Sequence, residues 1–183
     1  DTPTPYADGG NYAVLNPLDK GTSVAVSEGN STPSIGSAAW QTIRATMAFP
    51  TTGKWYVEAL LGGSSGNGMV GIGTAAATLA SYAGADAFGW SYNAGGGQKF
   101  NNGSGVAYGA SYAPTDLIGV AFDADAGTLT FYKNNVSQGV AYSGLTNASY
   151  FLMPSINVSQ WAVNFGQRPF AYTPPTGFKS LHT

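Results

Sequence analysis

The 183-residue chain contains no cysteine and a single histidine, His182. Without cysteine there can be no disulfide, no thiolate nucleophile and no zinc–thiolate site. His182 lies next to the last residue, in a segment predicted to be a linker. A Ser-His-Asp triad needs a histidine buried beside a serine, so that chemistry is not expected here.

Charge is also scarce, because only 9% of the residues are charged and the net charge is −2. A typical soluble domain has roughly 25% charged residues. The seven Lys and Arg residues are scattered, whereas binding to phosphates needs them clustered, so no nucleic-acid partner is predicted. No stretch approaches the ~20 apolar residues of a membrane span, and the first residues lack the features of a signal peptide. Because Asp1 is not a natural start, we expect a fragment or a processed product.

Two carboxylates lie close together in sequence, at Asp123 and Asp125. Glycosidase chemistry needs an acid whose pKa is raised in an apolar pocket, and nothing in the sequence indicates one. The Asp-x-Asp-x-Gly run resembles part of a calcium loop but lacks the terminal bidentate Glu. Turn chemistry, in which Asp accepts hydrogen bonds from nearby backbone N–H groups, is favoured instead. We therefore predict no enzymatic activity, no metal site and no cofactor.

The clearest structural pattern lies in residues 117–145, which read as three strands joined by two tight turns. Ile118, Val120 and Phe122 alternate with small or polar residues, and so do the apolar residues of the next segment, the pattern of strands with one buried face. The turns at 123–127 and 133–136 contain Asp, Asn and Gly, which suit hairpins. Further strand-like segments occur at residues 12–18, 23–27, 41–49, 54–61, 69–74, 88–92, 106–108, 150–158 and 161–165.

Regular short strands separated by Gly-rich turns are typical of an all-β protein with two packed antiparallel sheets. Only residues 75–83 could form a helical turn. Residues 1–39 are expected to be an N-terminal extension that contributes a lead-in and the first strands, with a loop at 28–39. Residues 40–171 are expected to form the β-sandwich. Residues 172–183 begin with a proline-rich stretch and are expected to be a C-terminal linker to a further domain.

The same central segment resembles the signature of the SPRY family. The matching positions are Asp116, Gly119, Phe122, Asp123, Phe131, Asn134, Gly139 and Ala141. Asn135 stands where the family usually has Gly, and Tyr142 stands where it usually has Phe. Landmarks at residues 53–58, 70–73, 89–92 and 164–166 follow in the family's order, so the resemblance covers about residues 40–170. It implies a concanavalin-like, jelly-roll type β-sandwich that binds partners through its loops and is not an enzyme.

A narrower resemblance concerns residues 2–6, 11–18 and 165–175, which are similar to segments that flank SPRY domains in large bacteriophage proteins. It implies a module displayed on a phage particle or tail fibre, at the virion surface or extracellular. The expected partners are a host-surface glycan or protein, or other virion proteins. The alternative is a general interaction module that captures a peptide of a partner protein, as SPRY domains of cellular adaptor proteins do.

The predicted ligand surface is the polar, Gly-rich stretch between Tyr92 and Tyr112. Its aromatic faces and amide groups suit sugars or exposed peptide segments, although a flexible loop without a ligand explains the composition equally well. The six candidate binding residues are Tyr92, Asn93, Gln98, Asn101, Tyr108 and Tyr112. The other large aromatic residues lie in strand-like segments and are expected in the core. They are Trp55, Trp90, Trp161, Phe122, Phe131 and Phe165.

Overall fold

The computed structural model describes residues 11–63, 67–146 and 148–183. The predicted lead-in at residues 1–10, which includes the phage-like segment at 2–6, lies outside the described residues. The described part contains strands but no helix. The strands are β1 (Leu15–Lys20), β2 (Ala25–Ser27), β3 (Thr32–Ser34), β4 (Gln41–Ala45), β5 (Ala48–Phe49), β6 (Lys54–Gly62), β7 (Gly68–Gly73), β8 (Gly89–Asn93), β9 (Gln98–Asn101), β10 (Ser104–Ala107), β11 (Leu117–Asp123), β12 (Thr128–Lys133), β13 (Val136–Tyr142), β14 (Tyr150–Ile156), β15 (Gln160–Asn164) and β16 (Lys179–Ser180).

The strands form two sheets that pack face to face as a sandwich. The first sheet has the order β1-β4-β14-β7-β8-β9-β10, and β5 also pairs with β14. The second has the order β13-β12-β11-β6-β15-β3-β2, and β16 also pairs with β6. All pairings are antiparallel except that of β16 with β6. The prediction of an all-β, two-sheet antiparallel sandwich is confirmed.

The predicted three-stranded meander is formed by β11, β12 and β13. Val120 lies opposite Phe131 and Phe122 lies opposite Leu129, so the apolar phases of β11 and β12 face the same side. Asn134 and Asn135 both have positive φ, as a two-residue type I′ hairpin turn requires. Gly127 also has a positive φ, of 62°, in the turn before β12. The turn residues therefore act as the sequence predicts.

The core lies between the sheets and is rich in aromatic side chains. Phe131, Phe165 and Trp161 are 0% exposed, and Phe122 is 2% exposed. Trp55 and Trp90 are only partly buried against this core. Trp55 lies next to the first residue of β6, where its Nε1–H donates to the Thr52 carbonyl at 3.0 Å. Trp55 and Trp90 therefore pack against the core, as expected, but are not fully enclosed by it.

Residues 74–88 form an irregular segment, not the helical turn allowed by the sequence. Buried hydroxyl groups hold it against the first sheet. Ser155 Oγ accepts a hydrogen bond from the Ala83 N–H at 2.9 Å, and Thr42 Oγ1 donates to the Ser81 carbonyl at 2.7 Å. These side chains occupy the backbone groups that a helix would use internally.

Two expected loops contain strands. The segment at 28–39 includes β3, which pairs with β2 over three residues and with Gln160 of β15. The segment at 93–103 includes β9, which forms a hairpin with β10. Both strands are short, and their composition of Gly, Ser, Thr and Asn hides the period of two that reveals a longer strand.

The expected C-terminal linker packs on the sandwich. Next to it, Phe170 contacts Tyr56 edge to face at 5.1 Å, and the backbone N–H groups of Ala171 and Tyr172 donate to the buried Glu58 carboxylate. Further on, β16 pairs with β6, and Leu181 is 1% exposed. β16 occupies the part of the β6 edge that β15 leaves unpaired. This segment is therefore part of the fold, and its connection to a further domain stays a prediction.

Candidate functional site

The segment predicted to bind ligand forms one edge of the first sheet. β8, β9 and β10 are hydrogen-bonded in succession, with Tyr92 opposite Lys99 and Lys99 opposite Val106. β10 is exposed along its whole length. After β10 the chain turns inward, so that Tyr108 and Tyr112 lie between this edge and the second sheet.

Tyr92 and Tyr112 are core residues, and the prediction that they present a stacking face to a ligand is wrong. Tyr92 is 0% exposed and Tyr112 is 4% exposed. Their ring centroids are 4.8 Å apart, and the Tyr112 hydroxyl donates to the Tyr92 carbonyl at 2.7 Å. Tyr92 lies on the inward phase of β8, and its hydroxyl donates to the Ala110 carbonyl. Burial raises the pKa of Tyr92 to about 12, so the hydroxyl stays a donor at neutral pH.

Tyr108 is half-buried and connects the two sheets. Its hydroxyl donates to the Gly139 carbonyl at 2.6 Å and accepts the Phe131 N–H at 3.3 Å. The ammonium of Lys99 lies 5.9 Å from the centre of its ring. Desolvation by burial raises the pKa of Tyr108 to about 12. These contacts give Tyr108 a framework role, and a role in ligand binding stays a prediction.

The three amide residues do not form one patch with the tyrosines. Asn93 Oδ1 accepts the Gly96 N–H at 3.1 Å within the turn after β8. Asn101 Nδ2 donates to the Gly89 carbonyl at 2.8 Å, from the opposite end of β9. Gln98 is partly exposed at the start of β9. Their binding role also stays a prediction, and the structure assigns Asn93 and Asn101 to the local hairpin geometry.

A groove that the sequence interpretation missed lies at one end of the sandwich, and we call it the loop groove. It has a volume of about 320 Å³ and is lined by residues 34–36, Gly63 and residues 158–160. They lie at the end of β3, directly after β6 and in the turn that leads from β14 into β15. None of the described residues that line it is charged. The Gly62-Gly63 pair and the Asn157–Ser159 turn signal chain reversals in the sequence, but the pairing of β15 with both β3 and β6 brings them together.

The backbone of the loop groove is closely held. The Ile35 N–H donates to the Ser159 carbonyl at 3.3 Å, and Ser159 Oγ donates to the Asn67 carbonyl at 2.6 Å. Val158 has a φ of 48°, in the left-handed region that a β-branched residue rarely adopts. Such strain costs on the order of 1–3 kcal/mol and clusters at binding sites. The groove is therefore a preformed feature.

The carboxylates considered for catalysis have turn roles. Asp123 Oδ1 accepts the Ala126 N–H at 3.0 Å, and its Oδ2 lies 3.0 Å from Lys54 Nζ. Asp125 Oδ1 accepts the Gly53 N–H at 2.8 Å. No group of three or more His, Asp or Glu suited to a metal ion occurs in the part of the chain that the structure describes. Nor does this part contain a helix of the length and apolarity needed to cross a bilayer.

Comparison with solved structures shows the same fold in other proteins. The SPRY domain of human HERC1 superimposes with a TM-score of 0.72 and 18% sequence identity, covering 85% of this chain and 99% of that domain. The stonustoxin structure matches with a TM-score of 0.66 and 20% identity, covering 84% of this chain. This chain spans only 27% of the stonustoxin chain. A search of curated protein sequences found no match.

The family model of the SPRY domain matches residues 53–168. That range runs from the turn before β6 to the segment after β15 and includes the meander formed by β11, β12 and β13. SPRY domains are generally non-catalytic binding modules, and membership suggests a protein-interaction module. Because the family model matches more than half of its length, this chain belongs to the SPRY domain family.

Proposed function

We propose that this chain is a protein-interaction module that captures an uncharged segment of a partner protein in the loop groove. SPRY membership supports the class of function. The observation that carries the site is a preformed groove of about 320 Å³ without a charged lining residue. The partner is defined by the chemistry of the segment that would bind, which is an uncharged stretch of polypeptide.

The lining of the loop groove suits a polypeptide in extended form. Ser34, Ser159 and Gln160 contribute hydroxyl and amide groups, while Ile35 and Val158 contribute apolar surface. Backbone amides of a partner segment can pair with such neutral groups, and its small apolar side chains can fill the remaining space. Because no lining group is charged, binding is expected to depend only weakly on salt.

The closing experiment compares two glycine-to-tryptophan variants. Peptides that bind the chain are selected from a displayed library of random linear sequences, and their affinities are measured by calorimetry. Gly36→Trp places a large ring at the loop groove, and Gly95→Trp places the same ring on the surface predicted from sequence. Both glycines are exposed, and a Cβ added at either would meet no atom closer than 3.8 Å. Both variants should therefore fold.

We expect Gly36→Trp to weaken peptide binding by about tenfold or more, equivalent to about 1.4 kcal/mol. Gly95→Trp should bind like the unmodified chain. Loss of binding in Gly95→Trp alone would instead support the stretch between Tyr92 and Tyr112. Selection of highly charged peptides whose binding disappears in high salt would contradict the proposed recognition chemistry.

The finer prediction from sequence places the module on a phage particle or tail fibre, contacting a host-surface glycan or protein or other virion proteins. It rests on the flanking segments at residues 2–6, 11–18 and 165–175 alone. Location at the virion surface belongs to the same prediction. The test is binding of the purified chain to bacterial cells. Loss of that binding in Gly36→Trp would show that attachment to the cell surface uses the loop groove.

A further inference from the structure

A second concave site lies at the other end of the sandwich, and we call it the end cavity. It has a volume of about 340 Å³. Its walls come from the segment before β6, the turn between β11 and β12 and the connection before β14. β6 starts at this end and reaches the loop groove nine residues later. At ~3.3 Å per residue the two sites are roughly 30 Å apart, so they are separate surfaces.

The walls of the end cavity are uncharged and mainly apolar. Its apolar lining residues are Pro50, Phe122, Ala124, Leu145 and Ala148, and Thr51, Thr146 and Tyr150 add hydroxyl groups. The charged residues Lys54 and Asp123 are close to lining residues in sequence but do not line the cavity. They form an ion pair with each other at 3.0 Å. At ~30 Å³ for each water-sized group, the volume suits a ligand group of about ten non-hydrogen atoms.

The hydroxyl of Tyr150 is open to this cavity and has no hydrogen-bond partner among the described residues. Tyr150 is 5% exposed and lines the cavity. Its ring packs against Phe122 and Trp90 at centroid distances of 5.4 and 5.6 Å. In the described part of the chain, Arg44 Nε is the only fully enclosed side-chain nitrogen or oxygen without a partner, so the Tyr150 hydroxyl still reaches open space.

The end cavity is held open by hydrogen bonds between its walls. The Ala124 N–H donates to the Gly53 carbonyl at 2.9 Å, and the Gly53 N–H donates to Asp125 Oδ1 at 2.8 Å. The Leu145 N–H donates to the Gly127 carbonyl at 3.0 Å. The three wall segments are thus tied to one another independently of any ligand, as is usual for preformed small-molecule sites.

We propose that the end cavity is a second binding site, which takes an uncharged, largely apolar group carrying one oxygen that accepts a hydrogen bond from Tyr150. The two aromatic residues of the lining, Phe122 and Tyr150, favour an apolar group. The group can belong to a free molecule or to the tip of a partner's side chain, and the chemistry of recognition is the same. Burial raises the pKa of Tyr150, so its hydroxyl is a donor at neutral pH.

The test uses acetophenone, a neutral aromatic ketone, and α-methylstyrene, in which a methylene group replaces the ketone oxygen. Backbone amide NMR spectra of the full chain are recorded during titration with each compound. We expect saturable shifts at Thr51, Ala124 and Ala148 and none at Ser34 or Ser159. Tyr150→Phe removes only the hydroxyl and should weaken acetophenone binding about fivefold, as for the loss of one neutral hydrogen bond. Its effect on α-methylstyrene should be nil.

Tyr132→Phe is the matched control, because Tyr132 is half-buried on β12 and does not line the cavity. Ala124→Leu fills the cavity and should abolish binding of both compounds. A Gly-Tyr-Gly peptide capped at both ends distinguishes a free small molecule from the side chain of a partner protein as the natural ligand. Shifts with this peptide as well as with acetophenone assign the site to a partner's side chain, and shifts with acetophenone alone assign it to a free molecule.

Two results would overturn the proposal. One is the absence of saturable shifts at the cavity with acetophenone in the folded, unmodified chain. The other is an equal effect of Tyr150→Phe on acetophenone and on α-methylstyrene, because the hydroxyl would then recognise nothing. Gly36→Trp should leave acetophenone binding unchanged, so the result is independent of the loop groove.

Discussion

At the residue scale, the tyrosines of this chain show how an amphipathic side chain can serve as framework. Tyr92, Tyr108 and Tyr112 each donate a hydrogen bond from the hydroxyl to a backbone carbonyl. Their rings pack with Phe131 and Trp161 between the sheets. A buried Tyr needs a partner for its hydroxyl, and the carbonyls of Ala110, Gly139 and Tyr92 supply it here. Tyr150 differs because its hydroxyl has no such partner among the described residues.

The burial of single aromatic rings predicts unequal losses of stability on truncation. Phe131→Ala should lower the free energy of unfolding by about 3–5 kcal/mol, because the ring is fully enclosed. Trp55→Ala should cost less, since Trp55 is only partly buried at the end of β6. Urea denaturation followed by circular dichroism measures both. An equal loss in the two variants would show that burial does not set the ranking.

At the element scale, the C-terminal segment completes the second sheet. β16 lies beside the first residues of β6, and the Leu181 N–H donates to the Phe165 carbonyl at 3.0 Å. The Ala13 N–H in turn donates to the Leu181 carbonyl at 3.1 Å, so residues from both ends of the described chain meet here. A segment with so few apolar residues is ordered because the strand edge offers hydrogen-bond partners.

This arrangement predicts that Leu181 contributes to stability as a core residue does. Leu181→Ala should lower the free energy of unfolding by about 2–5 kcal/mol, the range for buried Leu. The neighbouring Lys179 is exposed, and Lys179→Ala serves as the matched control with little expected change. Thermal denaturation compares the two variants. Wild-type stability in Leu181→Ala would mean that residues 179–183 detach from the sandwich in solution.

At the scale of the whole molecule, few side chains are charged, and several of them form ion pairs. The ion pairs found among the described residues are Arg44–Asp19, Lys54–Asp123 and Lys133–Asp116. Desolvation opposes ionisation of Asp116, but hydrogen bonds from the Ala113 N–H and Asn134 and the charge of Lys133 hold its pKa below the usual value. The pKa of Asp123 is lowered against desolvation by the Ala126 N–H and Lys54.

These shifts predict how stability depends on pH. A carboxyl whose pKa is lower in the folded state stabilises the fold above its unfolded pKa, about 3.9 for Asp, and loses this contribution as the pH falls through the folded pKa. The melting temperature should therefore decline in acid below about pH 4. Asp116→Asn should melt below the unmodified chain at pH 7, and the difference should shrink at pH 2. The same difference at both pH values would show that the charge of Asp116 is not involved.

The fold class and the SPRY family were accessible from local pattern, because strand periodicity and turn chemistry involve neighbouring residues. Ile118, Val120 and Phe122 alternate visibly, and the Asn134-Asn135 turn is explicit. Very short strands such as β3 and β16 were not predicted, since two or three residues carry no period. Their pairing depends on a strand edge that distant parts of the chain supply.

The composition and alternation of the chain by themselves determine a two-sheet sandwich with little charge and without cysteine chemistry. Tertiary structure alone decides which tyrosines reach solvent. Tyr92 and Tyr112 look like a binding face in a Gly-rich stretch, yet the second sheet covers them. The tertiary structure also creates the loop groove and the end cavity, because each is built from segments far apart in sequence. Their walls meet only after β6 has paired with β11 and β15 and the two sheets have packed together, and no local pattern encodes such a meeting.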